Sequence, residues 1–278
     1  MKVFDVHCHA FPDKIAGAAM ARLLAGVASP SNPYGMKVVA SFDGTVSGLL
    51  AGMDRAGIQR AILCSVATRP EQTPKITDWS AAIQNERLVA FGSIHPDFAA
   101  PEAELERMAA LGLRGIKFHP QYMNCPLDDP RVLRIARAAA RTGLAMVTHA
   151  GADLELAQPD LASPARVRRL HESAPLLRLL ACHMGGWRCW EEALQVLAGL
   201  PVYLETSYTL GQCPDDLLLR LLEAHPADKL LFGTDAPWAD QKRELETFQA
   251  LPISQSAKAA ILWDNAFRFL NLAPPEAR

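Results

Sequence analysis

Near its start the chain places two histidines one residue apart inside an apolar run, Asp5-Val6-His7-Cys8-His9. On an extended strand, side chains alternate between faces, so His7 and His9 share one face while Val6 and Cys8 take the other. Their backbones then stand about 6–7 Å apart, near enough for both rings to converge on one ion. A catalytic ion of the zinc type needs further ligands and an open position. His149, in Val147-Thr148-His149-Ala150-Gly151, and Asp235, in Phe232-Gly233-Thr234-Asp235-Ala236-Pro237-Trp238, both end apolar runs before glycine- or proline-containing turns. A lone carboxylate in such a place is costly to bury, and a cation removes the cost. The expected metal ligands are therefore His7, His9, His149 and Asp235. The expected cofactor is one divalent ion, zinc first, though the same ligands accept manganese, iron or cobalt.

The elements that must position these groups follow from hydrophobic periodicity. Short β-rich runs at Val3–His9, Ala61–Val66, Leu88–Ile94, Gly115–His119, Ala145–Ala150, Leu179–His183, Val202–Ser207 and Leu230–Asp235 alternate with stretches of helical period. The helical stretches include Thr45–Ala56, Ala100–Leu111, Pro130–Arg141, Ser163–Glu172, Trp190–Leu197 and Asp215–Ala224. Eight such repeats in roughly 250 residues predict an α/β fold, a (β/α)8 TIM barrel. Five of the runs end in His9, His119, His149, His183 and Asp235, and catalytic groups of this barrel gather at the carboxyl ends of its strands. No Gly-x-Gly-x-x-Gly follows the first run, which weakens a dinucleotide-binding alternative.

All 278 residues read as one barrel domain, with one segment out of rhythm. Residues 10–43 separate the first run from the next helix and contain the turn-rich Ala-Ser-Pro-Ser-Asn-Pro-Tyr-Gly at 28–35. Attached to the carboxyl end of a barrel strand, this segment is expected to be a lid. A net charge of −2 gives no basic footprint for nucleic acid or a membrane surface, so the expected partner is a small-molecule substrate. The first ten residues carry Lys2 and Asp5 and are no secretion signal, and no run approaches the ~20 apolar residues of a membrane span. A cytoplasmic location is expected. Six scattered cysteines, with no Cys-x-x-Cys, read as buried thiols.

Taken together, His7-x-His9, Gly115-Ile116-Lys117-Phe118-His119-Pro120, His149-Ala150-Gly151, Cys182-His183-Met184-Gly185-Gly186 and Gly233-Thr234-Asp235-Ala236-Pro237 resemble the amidohydrolase-2 family in order and strand position. That family includes aminocarboxymuconate semialdehyde decarboxylase, related aromatic-acid decarboxylases and lactonases. The resemblance runs to Ile261–Leu270, which is similar to the family's final helix. It implies a mostly mononuclear site at His7, His9, His149 and Asp235, with His183 acting beside the metal, and suggests a homodimer. Catalytic roles are expected for Asp235, as acceptor of a water proton, and for His183, as orienter of water or stabiliser of an oxyanion.

Lys117 and His119 share a face of the fourth run. A lysine inside a barrel must find a carboxylate, lose its proton or be modified; in binuclear amidohydrolases a lysine at the end of this strand is carboxylated and bridges two ions. Because the resemblance is to single-metal members, Lys117 is expected to bind substrate or form an ion pair, and His119 to touch substrate rather than serve as a fifth ligand. Tyr122, Trp187, Arg188 and Trp238 follow strand ends and are candidate pocket residues, with Trp187 and Arg188 suited to stack on and pair with an acid. Glu205 and Asp5 are candidates to orient metal-bound histidines. The favoured reaction is hydrolysis of a small lactone, ester or amide by metal-activated water. Two alternatives stand beside it: non-oxidative decarboxylation of an unsaturated or aromatic acid, and a binding protein that keeps the barrel without turnover.

Overall fold

The computed structural model describes residues 1–29, 32, 34–154 and 159–273. The eight apolar runs form strands β1 (Phe4–Cys8), β2 (Arg60–Cys64), β3 (Leu88–Phe91), β4 (Gly115–Phe118), β5 (Ala145–Thr148), β6 (Leu179–Ala181), β7 (Tyr203–Glu205) and β8 (Leu230–Leu231). Helices α1 (Asp13–Val27) and α2 (Val46–Ala56) follow β1, α3 (Thr73–Ile83) follows β2, and α4 (Pro101–Ala110) follows β3. After β4 come α5 (Pro120–Met123) and α6 (Pro130–Arg141), then α7 (Pro164–Ser173), α8 (Trp190–Val196) and α9 (Asp215–Ala224) in turn. Past β8 lie α10 (Gln241–Ala250) and α11 (Gln255–Ala259), and a π-helical turn, Ala260–Asp264, leads into α12 (Asn265–Leu270).

All strand pairs are parallel, β1-β2-β3 in one arc and β4 to β8 in sequence in another. Bridges between Gly92 and Ile116 and between Cys8 and Ala236 join the two arcs. Backbone bonds from Lys117 N to the Gly92 carbonyl (2.8 Å) and from Asp235 N to the His7 carbonyl (2.7 Å) reinforce the seams. The result is a (β/α)8 barrel. Of the expected eighth run, Leu230–Asp235, only the first two residues form a ladder with β7; beyond them the chain bonds to β1 through Phe232 and Asp235 and reaches a left-handed Asp235 (φ 62°).

Two apolar layers follow from strand alternation. Ala61, Leu63, Ile116, Phe118, Met146 and Leu204 point outward against helix residues such as Leu49, Leu105 and Ile135. Phe4, Ile62, Phe91, Val147, Leu180 and Leu231 fill the other face together with Phe267, Phe269 and Leu270 of α12. Val6 joins this second cluster whereas Cys8 joins the first, which corrects the expectation that they share a face. The cause is a register shift between Asp5 and Cys8, where three steps along β1 match two along β2; such a bulge breaks the alternation and re-aims the side chains around it.

The 10–43 segment holds an unexpected fifteen-residue helix, α1. Of the turn-rich stretch at 28–35, Pro30, Ser31 and Pro33 lie outside the described residues. Among the described residues no helix is long and apolar enough to cross a membrane, and all six cysteines are free thiols.

One acid in the barrel wall carries a testable signature. Glu244 on α10 has a buried Oε2 without a hydrogen-bond partner among the described residues, and burial pushes its pKa up to about 8. The fold therefore holds a proton that the unfolded chain releases above about pH 4.3. This contribution is fully present below that pH and is lost as pH rises to about 8, at no more than ~1.4 kcal/mol per unit. Glu244→Gln is expected to raise the urea midpoint over the parent chain at about pH 8 and to lose that advantage near pH 4; equal midpoints throughout would refute the assignment.

Candidate metal centre

The carboxyl ends of β1, β4, β5, β6 and β8 bring His7, His9, Lys117, His119, His149, His183 and Asp235 around one cavity of about 830 Å3. Hydrogen bonds set the tautomers of the first two rings. His7 Nδ1 faces Glu205 Oε1 and Ser207 Oγ, each at 3.2 Å, and His9 Nδ1 lies 2.7 Å from the Cys64 carbonyl oxygen. The Cys64 carbonyl can only accept, and the Glu205 carboxyl already accepts from two backbone N–H groups, so both Nδ1 atoms carry hydrogen and both Nε2 atoms present lone pairs. Those two atoms lie 3.2 Å apart, and Asp235 Oδ1 is 2.9 Å from His9 Nε2 and 3.5 Å from His7 Nε2. A tetrahedral ion with bonds of 2.0–2.1 Å has ligand-to-ligand edges of about 3.3 Å. Three lone-pair donors on that spacing fit a divalent ion.

The carboxylate is prepared for this. Burial alone would raise the pKa of Asp235, but His7, His9 and His183 bring it down to about 2. Its backbone N donates to the His7 carbonyl, and the N-cap of α10 is Asp240 rather than Asp235. Burial holds His7 well below the usual histidine range, so its ring is neutral and available as a ligand.

His149 stands outside this trio. Its Nε2 lies 2.8 Å from the Ala152 carbonyl oxygen and its Nδ1 is 3.1 Å from His183 Nε2, while the ring stacks on His119 at 4.3 Å. His183 Nδ1 lies 3.0 Å from both the carbonyl and the hydroxyl of Ser207. Each ring thus gives its far hydrogen to a carbonyl, and the two facing nitrogens at 3.1 Å need one shared proton or a cation before them. His119, His149 and Asp153 form a further group of converging donors.

The other candidates fall into place around these rings. Lys117 is fully buried, with Nζ 2.8 Å from His7 Nε2 and 3.3 Å from Cys182 Sγ; no carboxylate lies within ion-pair distance of it among the described residues. Tyr122, Trp187 and Trp238 line the cavity. Arg188 does not: its guanidinium stacks over Tyr34 and Trp187 at 5.2 and 5.1 Å. Asp5 touches no imidazole. It accepts from the His7 and Thr234 backbones, the Thr234 hydroxyl and Gln241 Nε2, and so ties β1 to the turn that carries Asp235. Gly151 must lack a side chain, since a Cβ there would sit 2.3 Å from the Trp187 backbone and part the loops that hold His149 and His183.

Several site residues go beyond those expected from the sequence: Phe11, Trp79 and Tyr208 line the cavity, and Ser207 sits behind the rings. Tyr208 carries a sequence signal, three residues beyond Glu205 at the same strand end. Trp79, in the middle of α3, carries none.

Residues 4–272 match the family described as amidohydrolase. The chain belongs to that family. Its members are metal-dependent enzymes, and this amidohydrolase is one of them. No curated protein matches it. Among solved structures it resembles 5-carboxyvanillate decarboxylase from Sphingomonas paucimobilis, with 18% identity, TM-score 0.73 and coverage of 98% of this chain and 99% of that one. It also resembles a TIM-barrel protein from Bordetella bronchiseptica, with 20% identity, TM-score 0.76 and the same coverages. A third is dihydroxybenzoic acid decarboxylase from Polaromonas, solved with manganese and the inhibitor 2-nitroresorcinol, at 16% identity, TM-score 0.68 and 97% coverage of both chains. These likenesses concern the fold.

Glu205 gives this amidohydrolase a testable second contact. It accepts from His7 Nδ1, from His183 N at 2.9 Å and from Ser207 N at 2.6 Å, and Gly233 leaves room for it. Glu205→Gln is expected to weaken binding of the divalent ion roughly 10–100-fold, as such supporting carboxylates do. Competition with a chelator of known affinity measures this, and unchanged affinity would rule out the orienting role.

Proposed function

We propose that this amidohydrolase catalyses the metal-dependent, non-oxidative decarboxylation of an aromatic or unsaturated carboxylic acid. One observation carries the reading. The cavity before the three donors is walled by Phe11, Val66, Ile76, Trp79, Trp187, Tyr208 and Trp238, with His7, His9, Lys117, His119, His149, His183 and Asp235 gathered at the strand ends and three further cations, Lys14, Arg22 and Lys75, on the helices. Apolar walls disfavour a localised carboxylate and favour its passage to neutral carbon dioxide, and aromatic rings suit a planar substrate. Two of the similar structures are named as decarboxylases of aromatic acids, and one holds manganese, which adds support. The sequence alone ranks hydrolysis first; the aromatic cavity and the names of the similar structures support the alternative instead.

In the reaction the bond between the ring carbon and the carboxylate breaks, its electrons stay on carbon, and a proton takes the place of the departing carbon dioxide. His7, His9 and Asp235 would hold the divalent ion, with His149 as fourth ligand, and the bound ion would polarise a substrate oxygen and draw off developing charge. His183 takes up a second proton from solvent at Nε2 and passes it to the ring carbon, while the Ser207 carbonyl holds the ring by accepting its Nδ1 hydrogen. Lys117 places positive charge beneath the substrate, and Trp187 and Tyr208 hold the ring edge-on to each other. Helix α1, within the 10–43 segment, serves as the cover over this face.

One observation favours hydrolysis as a second reading: the Asp235 carboxylate stands beside the other two donors, 2.9 Å from His9 Nε2 and 3.5 Å from His7 Nε2, where it is in reach of a water that the ion would activate. Incubating the metal-loaded protein with hydroxybenzoic acids and, separately, with aryl lactones separates the two. Release of carbon dioxide, with one deuterium entering the product carbon in heavy water, is expected. Ring opening of lactones without carbon dioxide release from any acid would reverse the assignment.

A further inference from the structure

Building on the decarboxylase reading, we infer that the substrate carries, beyond the reacting acid, an apolar arm that runs out between α1 and α3 and ends in an anionic group. A cavity of about 830 Å3 lies toward the upper end of the roughly 300–1,000 Å3 used for drug-sized ligands, well beyond the needs of a single ring. Its outer part is built from two helix faces. On α1, Ile15, Ala19, Leu23 and Val27 recur every four residues and all line the cavity, which puts them on one face of the helix. Ile76 and Trp79 of α3, three residues apart, line it as well. Ile15 is 52% exposed, an unusual place for a large apolar side chain unless something covers it.

Charge lies along the exposed rim. Lys14 and Arg22 on α1 and Lys75 on α3 also line the cavity, and all three are exposed. None forms an ion pair among the described residues, in contrast to the paired arginines 87, 107, 131 and 134. No acid of α1 or α3 lines the cavity. Three unpaired cations around an apolar mouth attract an anion and hold it at the solvent edge. The site as a whole thus reads a diacid: one carboxylate at the strand ends, an apolar spacer along α1, and a second anion at the mouth.

The test is calorimetric titration of the metal-loaded protein with three ligands: salicylate, salicylate bearing a hexyl chain, and the same compound with the chain ended by a carboxylate. The diacid is expected to bind at least about tenfold more tightly than the hexyl compound, and the hexyl compound about tenfold more tightly than salicylate. In a variant carrying Lys14→Ala, Arg22→Ala and Lys75→Ala, the ratio between diacid and hexyl compound should collapse to about one. Ala19→Trp, which fills the channel, should instead collapse the ratio between hexyl compound and salicylate. Equal affinities along the series, or ratios untouched by these changes, would overturn the inference. Should none of the three release carbon dioxide, the decarboxylase reading falls, while the affinity ratios still decide whether the arm exists.

Discussion

A chain carrying His7→Ala and His9→Ala is expected to be recovered without its divalent ion and with kcat/KM at least ~10³-fold lower, since Lewis-acid stabilisation of the transition state is worth several kcal/mol. The expectation rests on the triangle of donors at 3.2, 2.9 and 3.5 Å. Removing both rings takes away two of the three lone-pair donors and leaves the Asp235 carboxyl without its imidazole partners; a lone carboxyl binds a divalent ion poorly. Elemental analysis of the purified protein measures the ion, and circular dichroism verifies that the barrel persists. One equivalent in the parent chain, absent from the variant, is the expected result. Two equivalents would mean that Lys117, whose Nζ reaches His7 Nε2 at 2.8 Å, is carboxylated and bridges a pair of ions. Retention of the full equivalent by the variant would remove the trio from the site altogether.

How far such a centre is legible in the order of amino acids differs from residue to residue. The eight strands are legible because each is an apolar run with turn residues at its ends, and the helices Pro130–Arg141 and Asp215–Ala224 because Pro and Asp open their first turns. The bulge in β1 is not, since a strict two-residue alternation gives no sign of where an extra residue enters. Helix α1 is legible only in principle: Ile15, Ala19, Leu23 and Val27 keep helical spacing, but the prolines and glycine after them draw the segment toward a loop. His7, His9 and Asp235 are legible as a group because strand ends on one face of a barrel converge whatever the loops do. His149 shows the limit of that argument. Its position at the end of β5 is plain, yet the direction of its ring depends on the Ala152 carbonyl and on His183, partners set by loop geometry. Arg188 fails for a similar reason: a left-handed backbone (φ 62°) turns it onto Tyr34 and Trp187 rather than into the cavity.

His183 offers the second large effect. Replacing it with asparagine is expected to lower kcat by roughly 10²–10⁴-fold, the range contributed by a positioned general acid or base, while the divalent ion stays bound. The asparagine amide keeps a donor near the position of Nδ1 and can still meet the Ser207 carbonyl, but it has nothing at the position of Nε2. If His183 hands the proton to carbon, the loss falls on kcat, and the fraction of deuterium retained in product formed in heavy water changes with it. A merely structural His183 predicts a different pattern: the Cys182–Gly186 turn, with its left-handed His183 and Met184 (φ 59° and 53°), would loosen, and thermal stability would fall with little change in kcat per folded molecule. Ser207→Ala sharpens the distinction. It removes the hydroxyl that meets both His183 Nδ1 and Glu205 Oε1 but leaves the carbonyl, so a smaller loss in kcat is expected, again with the ion in place. Were His183→Asn to shed the ion instead, His183 would belong among the ligands, and the proton would have to come from elsewhere, with Asp235 next in line.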